Sequence, residues 1–406
     1  MADTHVLVGG GVAAATAAVS LREAGVDGRI VLVGEEPDAP YERPELSKGF
    51  LAGDKELPDL AVKPEEWYAD NGVELLLGRR VTAIDRRDRA VELDGGERLG
   101  YDRLLLATGS APRKLKLPGN DLDGVHYLRR VGNSESIRSA IAAGGPIVVI
   151  GGGWIGLEVA AVARTKGVEV TLLEMAPTPL FGVLGEQVGS TFTTLHRDHG
   201  VDVRTTVGVT ALRGDGKVEA VELADGSVVP AAAVVAGVGI LPRTELAEQA
   251  RLATDNGILV DARLRTEDPA IWAAGDVADA ENDWVGRHLR AEHFANANDQ
   301  GPFAGRSMAG ATDRWATPPF FWSDQYDVGL EYRGWADPAA SRVVVRGTPG
   351  KGPWIAFWLD GDRVAAGLHV NAWDDADAVK ALVVGKAAVD ADALADRARP
   401  LESVRT

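Results

Sequence analysis

The residues best placed to do chemistry are glycines. VLVGGGVAAA sets Gly9, Gly11 and Ala14 at G-x-G-x-x-A spacing, and VVIGGGWIGLE sets Gly151, Gly153 and Gly156 at G-x-G-x-x-G spacing. At these positions the backbone can come close to a pyrophosphate. The helix that follows offers it free N–H groups and a positive dipole end. An acidic residue about 20 positions further on grips the ribose hydroxyls. Glu35 stands 24 residues after Gly11, and Glu174 stands 21 residues after Gly153. A glycine turn can also be purely structural. Here strand, helix, second strand and carboxylate accompany the turn each time, and two such sites predict two nucleotide cofactors, most simply a flavin and a nicotinamide.

The neighbouring residues refine this chemistry. A carboxylate at Glu174 accepts hydrogen bonds from a ribose 2′-OH and repels a 2′-phosphate. Met175, Ala176, Pro177 and Thr178 follow, with no arginine to receive a phosphate, so NADH is expected over NADPH. In PYERPELSKGFL, Arg43 and Lys48 are either cations that stabilise negative charge on a flavin ring or its phosphates, or the ion pairs of a surface loop. In WAAGDVAD, Asp276 ends an apolar strand, where it can bond a ribityl hydroxyl, cap a helix, or do both. Gly237 and Gly239 end a strand expected to face the nicotinamide cleft. Hydride transfer needs alignment more than an acid or a base. The sequence shows no Ser-His-Asp or paired-carboxylate constellation.

These residues need a framework, and hydrophobic periodicity supplies one. HVLVGG (5–10), an Ala-rich helix over 12–24 and RIVLVG (29–34) form a βαβ unit with buried parallel strands. The order recurs as PIVVIGG (146–152), a helix over 155–166 and VEVTLLE (168–174). Residues 80–109 and 217–239 then repeat a second form, a hairpin with a DG turn leading to a strand that ends in glycine. The chain is thus duplicated at the level of a domain. Pro112, Pro118 and Gly119 mark a crossing point between domains. From about residue 316 the composition turns aromatic, with PPFFWSDQY and alternating strands, and a helix is expected over 374–386.

The 406 residues allow two to three domains. A hydrophobic share of 45% can fill their cores. Apolar runs are short and broken by glycine, so no spanning helix is expected. The N-terminus enters a strand almost at once, so no signal peptide is expected and the expected location is the cytoplasm. A formal charge of −17 argues against nucleic acid as the main partner. With no cysteine there is no disulfide, thiolate ligand or catalytic thiol. Seven scattered histidines form no H-x-x-x-H pair, so no metal site is expected.

ERPELSK, YDRLLLATG, GGGWIGLEVAA, WAAGDVA and FFWSDQY, with the two fingerprints, carry a resemblance that runs along nearly the whole chain. The chain resembles the FAD-dependent NAD(P)H:ferredoxin reductases of oxygenase systems. LATG and AGDVA are shared by many two-dinucleotide flavoproteins; ERPELSK and FWSDQY are narrower. The resemblance implies an α/β, glutathione-reductase-like fold: two Rossmann-like dinucleotide-binding domains plus a small α+β C-terminal domain. The expected bounds are 1–112 with 240–315 for FAD, 113–239 for NAD and 316–406 for the C-terminal domain.

By position, the family's FAD contacts fall on Ala13, Glu35, Lys48, Val81, Arg129, Asp276 and Phe294, with Gly9, Gly11, Ala14, Arg43, Ala107, Thr108 and Gly109 around them. Trp322 is expected either to cover the flavin or to pack in a core. NAD falls to Gly151, Gly153, Trp154, Ile155, Gly156, Glu158, Glu174, Gly237 and Gly239. Glu158 resembles a glutamate facing the nicotinamide, the alternative being a charge on a helix surface. Trp154 either lies over the flavin or packs between domains. Lys48 and Glu158 are expected to tune and position, while the flavin takes two electrons from NADH and passes them on singly.

The missing cysteines then exclude the disulfide reductases and the peroxidatic oxidases, whose reactive cysteines fall where this chain has ERPELSK. What remains is an external carrier, an acidic iron–sulfur ferredoxin serving a haem monooxygenase or a Rieske-type oxygenase. Because this chain is acidic too, docking needs a local cationic face. Arg287, Arg290, Arg306 and Arg314 are candidates, or form a solvated face. A monomer or weak dimer is expected. The competing readings are a stand-alone NADH oxidase or quinone reductase, and a signalling flavoprotein.

Overall fold

The computed structural model describes residues 3–406. The chain forms two compact units. One comprises the chain up to Pro44, Glu56–Ala111 and Ile240–Pro319; the other comprises Glu45–Lys55, Pro112–Gly239 and Phe320–Thr406.

The first unit is built on a five-stranded parallel sheet. Its order is Ile271–Ala273, Arg103–Leu106, Thr4–Val8, Arg29–Gly34 and Val73–Leu77. Val6, Leu7, Ile30, Val31, Leu104 and Leu105 are all fully buried. Such two-sided burial is why these strands are continuous apolar runs instead of alternating ones. The first fingerprint opens the helix Val12–Glu23, which packs on the helix Phe294–Met308. The approach is close because small residues meet. A Cβ at Gly301 would lie 2.0 Å from Thr16 Oγ1 and 2.5 Å from the Ala13 carbonyl oxygen, and one at Gly305 would lie 2.6 Å from the Ala17 carbonyl oxygen.

The second unit repeats the plan. Its parallel sheet runs Asp202–Arg204, Val170–Leu173, Ile147–Ile150, Ala233–Ala236 and Val125–His126, and the second fingerprint opens the helix Trp154–Thr165. In both sheets the fingerprint strand is central. Each unit also carries a three-stranded antiparallel sheet: Val81–Asp85, Ala90–Leu93 and Arg98–Gly100 in the first, and Val209–Arg213, Ala220–Leu223 and Val228–Pro230 in the second. Both have a register shift at the same place, between Val81 and Ala83 and between Val209 and Ala211. The duplication expected from the sequence therefore extends to a shared bulge.

The second unit further contains a five-stranded antiparallel sheet, ordered Phe320–Gln325, Val328–Gly334, Arg363–Val370, Trp354–Asp360 and Arg342–Arg346. Trp358 and Phe357 are fully buried in it, and the helix Ala376–Val384 packs against it. Among the described residues, no helix is long and apolar enough to cross a membrane, and no cluster of three or more His, Cys, Asp or Glu side chains could hold a metal.

Candidate dinucleotide sites

The two glycine turns share one construction. Gly9 has φ +139° and Gly151 φ +103°, a region that favours glycine. A Cβ at Gly9 would lie 2.1 Å from the Ala107 carbonyl oxygen, and one at Gly151 would lie 2.3 Å from that of Gly237. The first glycine of each turn thus lets the chain press against the end of the adjacent strand. The middle glycines differ from these: a Cβ at Gly11 would meet nothing within 4 Å, and one at Gly153 only the Gly237 carbonyl oxygen at 3.9 Å. That open face is where a pyrophosphate would need room. Gly11 and Gly153 are also the N-caps of their helices, and neither helix start has a side-chain cap or an acidic residue in its first turn. The free N–H groups and dipole ends are left to an external anion. These observations fit a dinucleotide at each turn.

The third positions explain why one motif ends in alanine and the other in glycine. Ala14 is fully buried and its methyl group is accommodated. A Cβ at Gly156 would lie 2.1 Å from the Gly151 carbonyl oxygen.

Around the first turn, Gly275 (φ +81°) swings Asp276 out of the strand Ile271–Ala273, and its N–H donates to the buried Gln300 Oε1 at 2.8 Å. A Cβ there would sit 3.3 Å from Ala13 Cβ, so Asp276 is presented beside the fingerprint helix. Ser110 Oγ donates to Asp276 Oδ2 at 2.8 Å. The capping alternative for Asp276 is not what the structure shows: the next element is the strand Ala278–Asn282, not a helix. Val81 is buried at the start of its strand, and Phe294 is the first residue of its helix, as expected, with Ala295 N–H donating to His293 Nδ1.

Glu35 Oε2 pairs with Arg243 Nη1 at 2.9 Å. Arg243 is itself held by the LATG turn: its N–H donates to the Gly109 carbonyl, and its carbonyl accepts from Thr108 Oγ1. The motif reading missed Arg243. Its only signal was a basic residue in GILPRTEL, just past the glycine-ended strand. Arg43 pairs with Glu36 at 2.6 Å and donates to the Tyr41 hydroxyl, which donates in turn to Glu36.

In the second unit, Glu174 holds the loop that would hold the ligand. Its Oε2 accepts from Gly152 N–H at 2.6 Å and its Oε1 from Ala176 N–H at 2.7 Å. Gly237 N–H donates to the Ile150 carbonyl, and Gly239 accepts from Arg113 N–H. Ile155 is 40% exposed beside the turn. Arg129 leads into the helix Val131–Ala143, its N–H donating to Asn133 Oδ1.

Glu158 is not the helix-surface charge that was one alternative. It is 5% exposed and receives Lys48 Nζ, Ser47 Oγ at 2.5 Å and Ser323 Oγ at 2.6 Å. A buried carboxylate requires such partners. Ser47 and Ser323 are further residues the motif reading missed. Trp154 packs on Phe321 at 4.9 Å between ring centres, and Phe321 stacks on Tyr332. Trp322 is only half-buried and lies beside Phe320, so it is not a core residue.

Of the four arginines, Arg290 has a side chain 7% exposed, pairs with Glu292 and donates to the Asp276 carbonyl. Arg314 pairs with both Asp283 and Glu281, and Arg306 lies over the Phe303 ring. Arg287 is exposed on the strand Arg287–Leu289.

Residues 3–301 match the family model for pyridine nucleotide-disulphide oxidoreductases, and residues 320–405 match that of the reductase C-terminal domain. The chain belongs to the pyridine nucleotide-disulphide oxidoreductase family. This oxidoreductase is 41% identical to rhodocoxin reductase of Rhodococcus erythropolis, over 90% of its own length and 86% of that protein's. It is 41% identical to the ferredoxin–NAD(+) reductase component of the anthranilate 1,2-dioxygenase system of Burkholderia cepacia, over 97% of both. Its fold matches a chain of the covalent putidaredoxin reductase–putidaredoxin complex with a TM-score of 0.95 at 38% identity, covering 98% of this chain and 97% of that one. The oxidoreductase departs from its family's name in one respect: it has no cysteine with which to form a disulphide.

Proposed function

We propose that this oxidoreductase is an FAD-dependent NADH:ferredoxin reductase, delivering electrons to an iron–sulfur ferredoxin that supplies a monooxygenase or a Rieske-type oxygenase. One observation carries the reading: two glycine cradles of the same construction, each open at its middle glycine, in a chain without cysteine. Of the relatives named above, one is the ferredoxin–NAD(+) reductase component of a dioxygenase system, matched over 97% of both chains, and another is a rhodocoxin reductase, which supports the protein carrier over a stand-alone oxidase.

FAD, when bound, accepts a hydride from NADH and gives electrons up one at a time. The chain's own residues bind and orient. Gly9, Gly11, Ala13 and Ala14, with the helix start behind them, hold the FAD pyrophosphate. Glu35 bonds the adenosine ribose, with Arg243 fixing its carboxylate. Asp276, Val81, Arg129, Phe294, Trp322 and the segment Ala107–Gly109 complete that set. Gly151, Gly153, Ile155 and Gly156 hold the NADH pyrophosphate, and Glu174 selects a ribose without a 2′-phosphate. Gly237, Gly239 and Trp154 line the path of the nicotinamide, and Lys48 and Glu158 set the charge there. Within this reading, residues 1–112 and 240–315 serve FAD, 113–239 serve NADH, and 316–406 form the C-terminal domain.

The protein works as a monomer or weak dimer in the cytoplasm, and its ferredoxin is acidic. Docking draws on a local cationic face, for which Arg287, Arg290, Arg306 and Arg314 are the candidates; Arg290 and Arg314 also pair with carboxylates. Reduction of ferricyanide by NADH and by NADPH tests the cofactor assignment. kcat/KM at least tenfold higher with NADH is expected, and a preference for NADPH would remove it.

A further inference from the structure

The motif FFWSDQY has an inverted burial pattern. Phe320, Phe321 and Trp322 are partly exposed, while Ser323 and Gln325 are 0% and 1% exposed. Burying two polar side chains is costly unless hydrogen bonds satisfy them. They belong to a string of such bonds. Tyr326 Oη lies 3.2 Å from His196 Nδ1, and His196 Nε2 lies 3.0 Å from Gln325 Oε1. An amide oxygen only accepts, so His196 carries its proton on Nε2, and Nδ1 accepts from Tyr326. Gln325 Nε2 donates to Ser323 Oγ at 3.2 Å, and Ser323 Oγ donates to Glu158 Oε1 at 2.6 Å. Every dipole in the string points toward the Glu158 carboxylate, which also holds Lys48.

We infer that Ser323, Gln325 and His196 are positioning residues that hold the Glu158 carboxylate, and through it the Lys48 ammonium, in one geometry for the reaction with NADH. The inference rests on the reductase reading above. Three elements contribute: the helix Trp154–Thr165, the helix Phe181–Asp198 and the strand Phe320–Gln325. Their side chains converge only because the strand turns Ser323 and Gln325 inward. Burial holds the His196 imidazole down to about 4, so it is neutral at working pH and its tautomer persists. The string is a strut and not a proton wire, because an amide in its middle does not pass a proton through. Its effect on Glu158 is the cooperative strengthening of a bond that ends on a charge.

The test compares the FAD-loaded wild type with Ser323→Ala, Gln325→Glu and His196→Leu, and with the conservative variants Ser323→Thr and His196→Gln. The readouts are stopped-flow reduction by NADH, steady-state ferricyanide reduction, and the reduction potential of bound FAD. In Gln325→Glu a carboxylate takes the Ser323 hydroxyl away from Glu158. With Ser323→Ala and Gln325→Glu, kcat is expected to fall about tenfold while KM for NADH changes less than about twofold. The potential shifts as well, because the Glu158 carboxylate that pairs with Lys48 is no longer fixed in one geometry. Ser323→Thr and His196→Gln restore most of the loss. The inference is overturned if Ser323→Ala or Gln325→Glu retains FAD with unchanged kcat and potential, or if kcat falls only in proportion to lost FAD. If NADH fails to reduce the wild-type flavin, the reductase reading fails first; if only the variants behave like wild type, this inference fails alone.

Discussion

Glu174 shows how one side chain can do two jobs. Its carboxylate orders the fingerprint loop through Gly152 and Ala176 N–H groups, and in the proposed reading it also accepts from the ribose 2′-OH. Glu174→Ala is therefore expected to raise KM for NADH about tenfold, with little change in kcat, and to narrow the NADH/NADPH ratio. Steady-state kinetics with both nucleotides would measure this; an unchanged ratio would contradict the role. His196 makes a prediction about stability. Its pKa is lowered to about 4 by burial, against about 6.5 in the unfolded chain. Between those values the unfolded state binds a proton that the folded state refuses, so stability rises with pH across that window and is lost as pH falls through it. Urea midpoints should drop from pH 6.5 to pH 4, and His196→Gln should reduce that drop by roughly 2–3 kcal/mol. An identical pH profile in the variant would refute the assignment. At this scale the sequence marked the residues with motif partners, such as Glu35, Asp276 and Glu174. It could not mark Arg243, Ser47 or Ser323, because each meets its carboxylate from more than 100 positions away.

At the scale of elements, the two βαβ units were legible because buried parallel strands are continuous apolar runs and the glycine turns punctuate them. The repeated hairpins were legible from their DG turns. The capping reading of Asp276 failed because a single carboxylate after glycine does not reveal whether the chain next coils or extends; the strand pairing of Ala278–Asn282 with its neighbours decides it. The same turn geometry gives an asymmetric prediction. Gly156→Ala places a methyl group 2.1 Å from the Gly151 carbonyl oxygen and should weaken NADH binding by at least about tenfold. Ala14→Gly at the equivalent position should leave FAD bound, at a cost of about 1 kcal/mol in helix propensity. Isothermal titration and retained flavin absorbance would measure the pair; equal effects would contradict the different packing of the two turns. Gly301→Ala tests the helix crossing, since its methyl group would meet Thr16 and Ala13. It should lower Tm by several degrees through about 1–3 kcal/mol of overpacking.

At the scale of the whole molecule, composition and the missing cysteines shape the function. If its ferredoxin is acidic, as proposed, a chain of charge −17 meets it through a local cationic potential. Ferredoxin reduction should therefore slow several-fold between low and physiological salt while ferricyanide reduction changes much less; a flat response for both would remove electrostatic steering. Net charge was readable from the sequence, but the ion pairs of Arg314 were not, because Glu281 and Asp283 lie more than 30 positions before it. Without a thiol, electrons have no disulfide to enter and pass to a protein carrier. The most direct test of that claim is NADH-driven cytochrome c reduction by the FAD-loaded protein, titrated with a panel of oxygenase-type iron–sulfur ferredoxins that includes putidaredoxin. Rates that rise and saturate with at least one ferredoxin, with slow oxygen and quinone turnover in its absence, are predicted. No stimulation by any of them, alongside fast turnover with oxygen or quinone, would contradict the account.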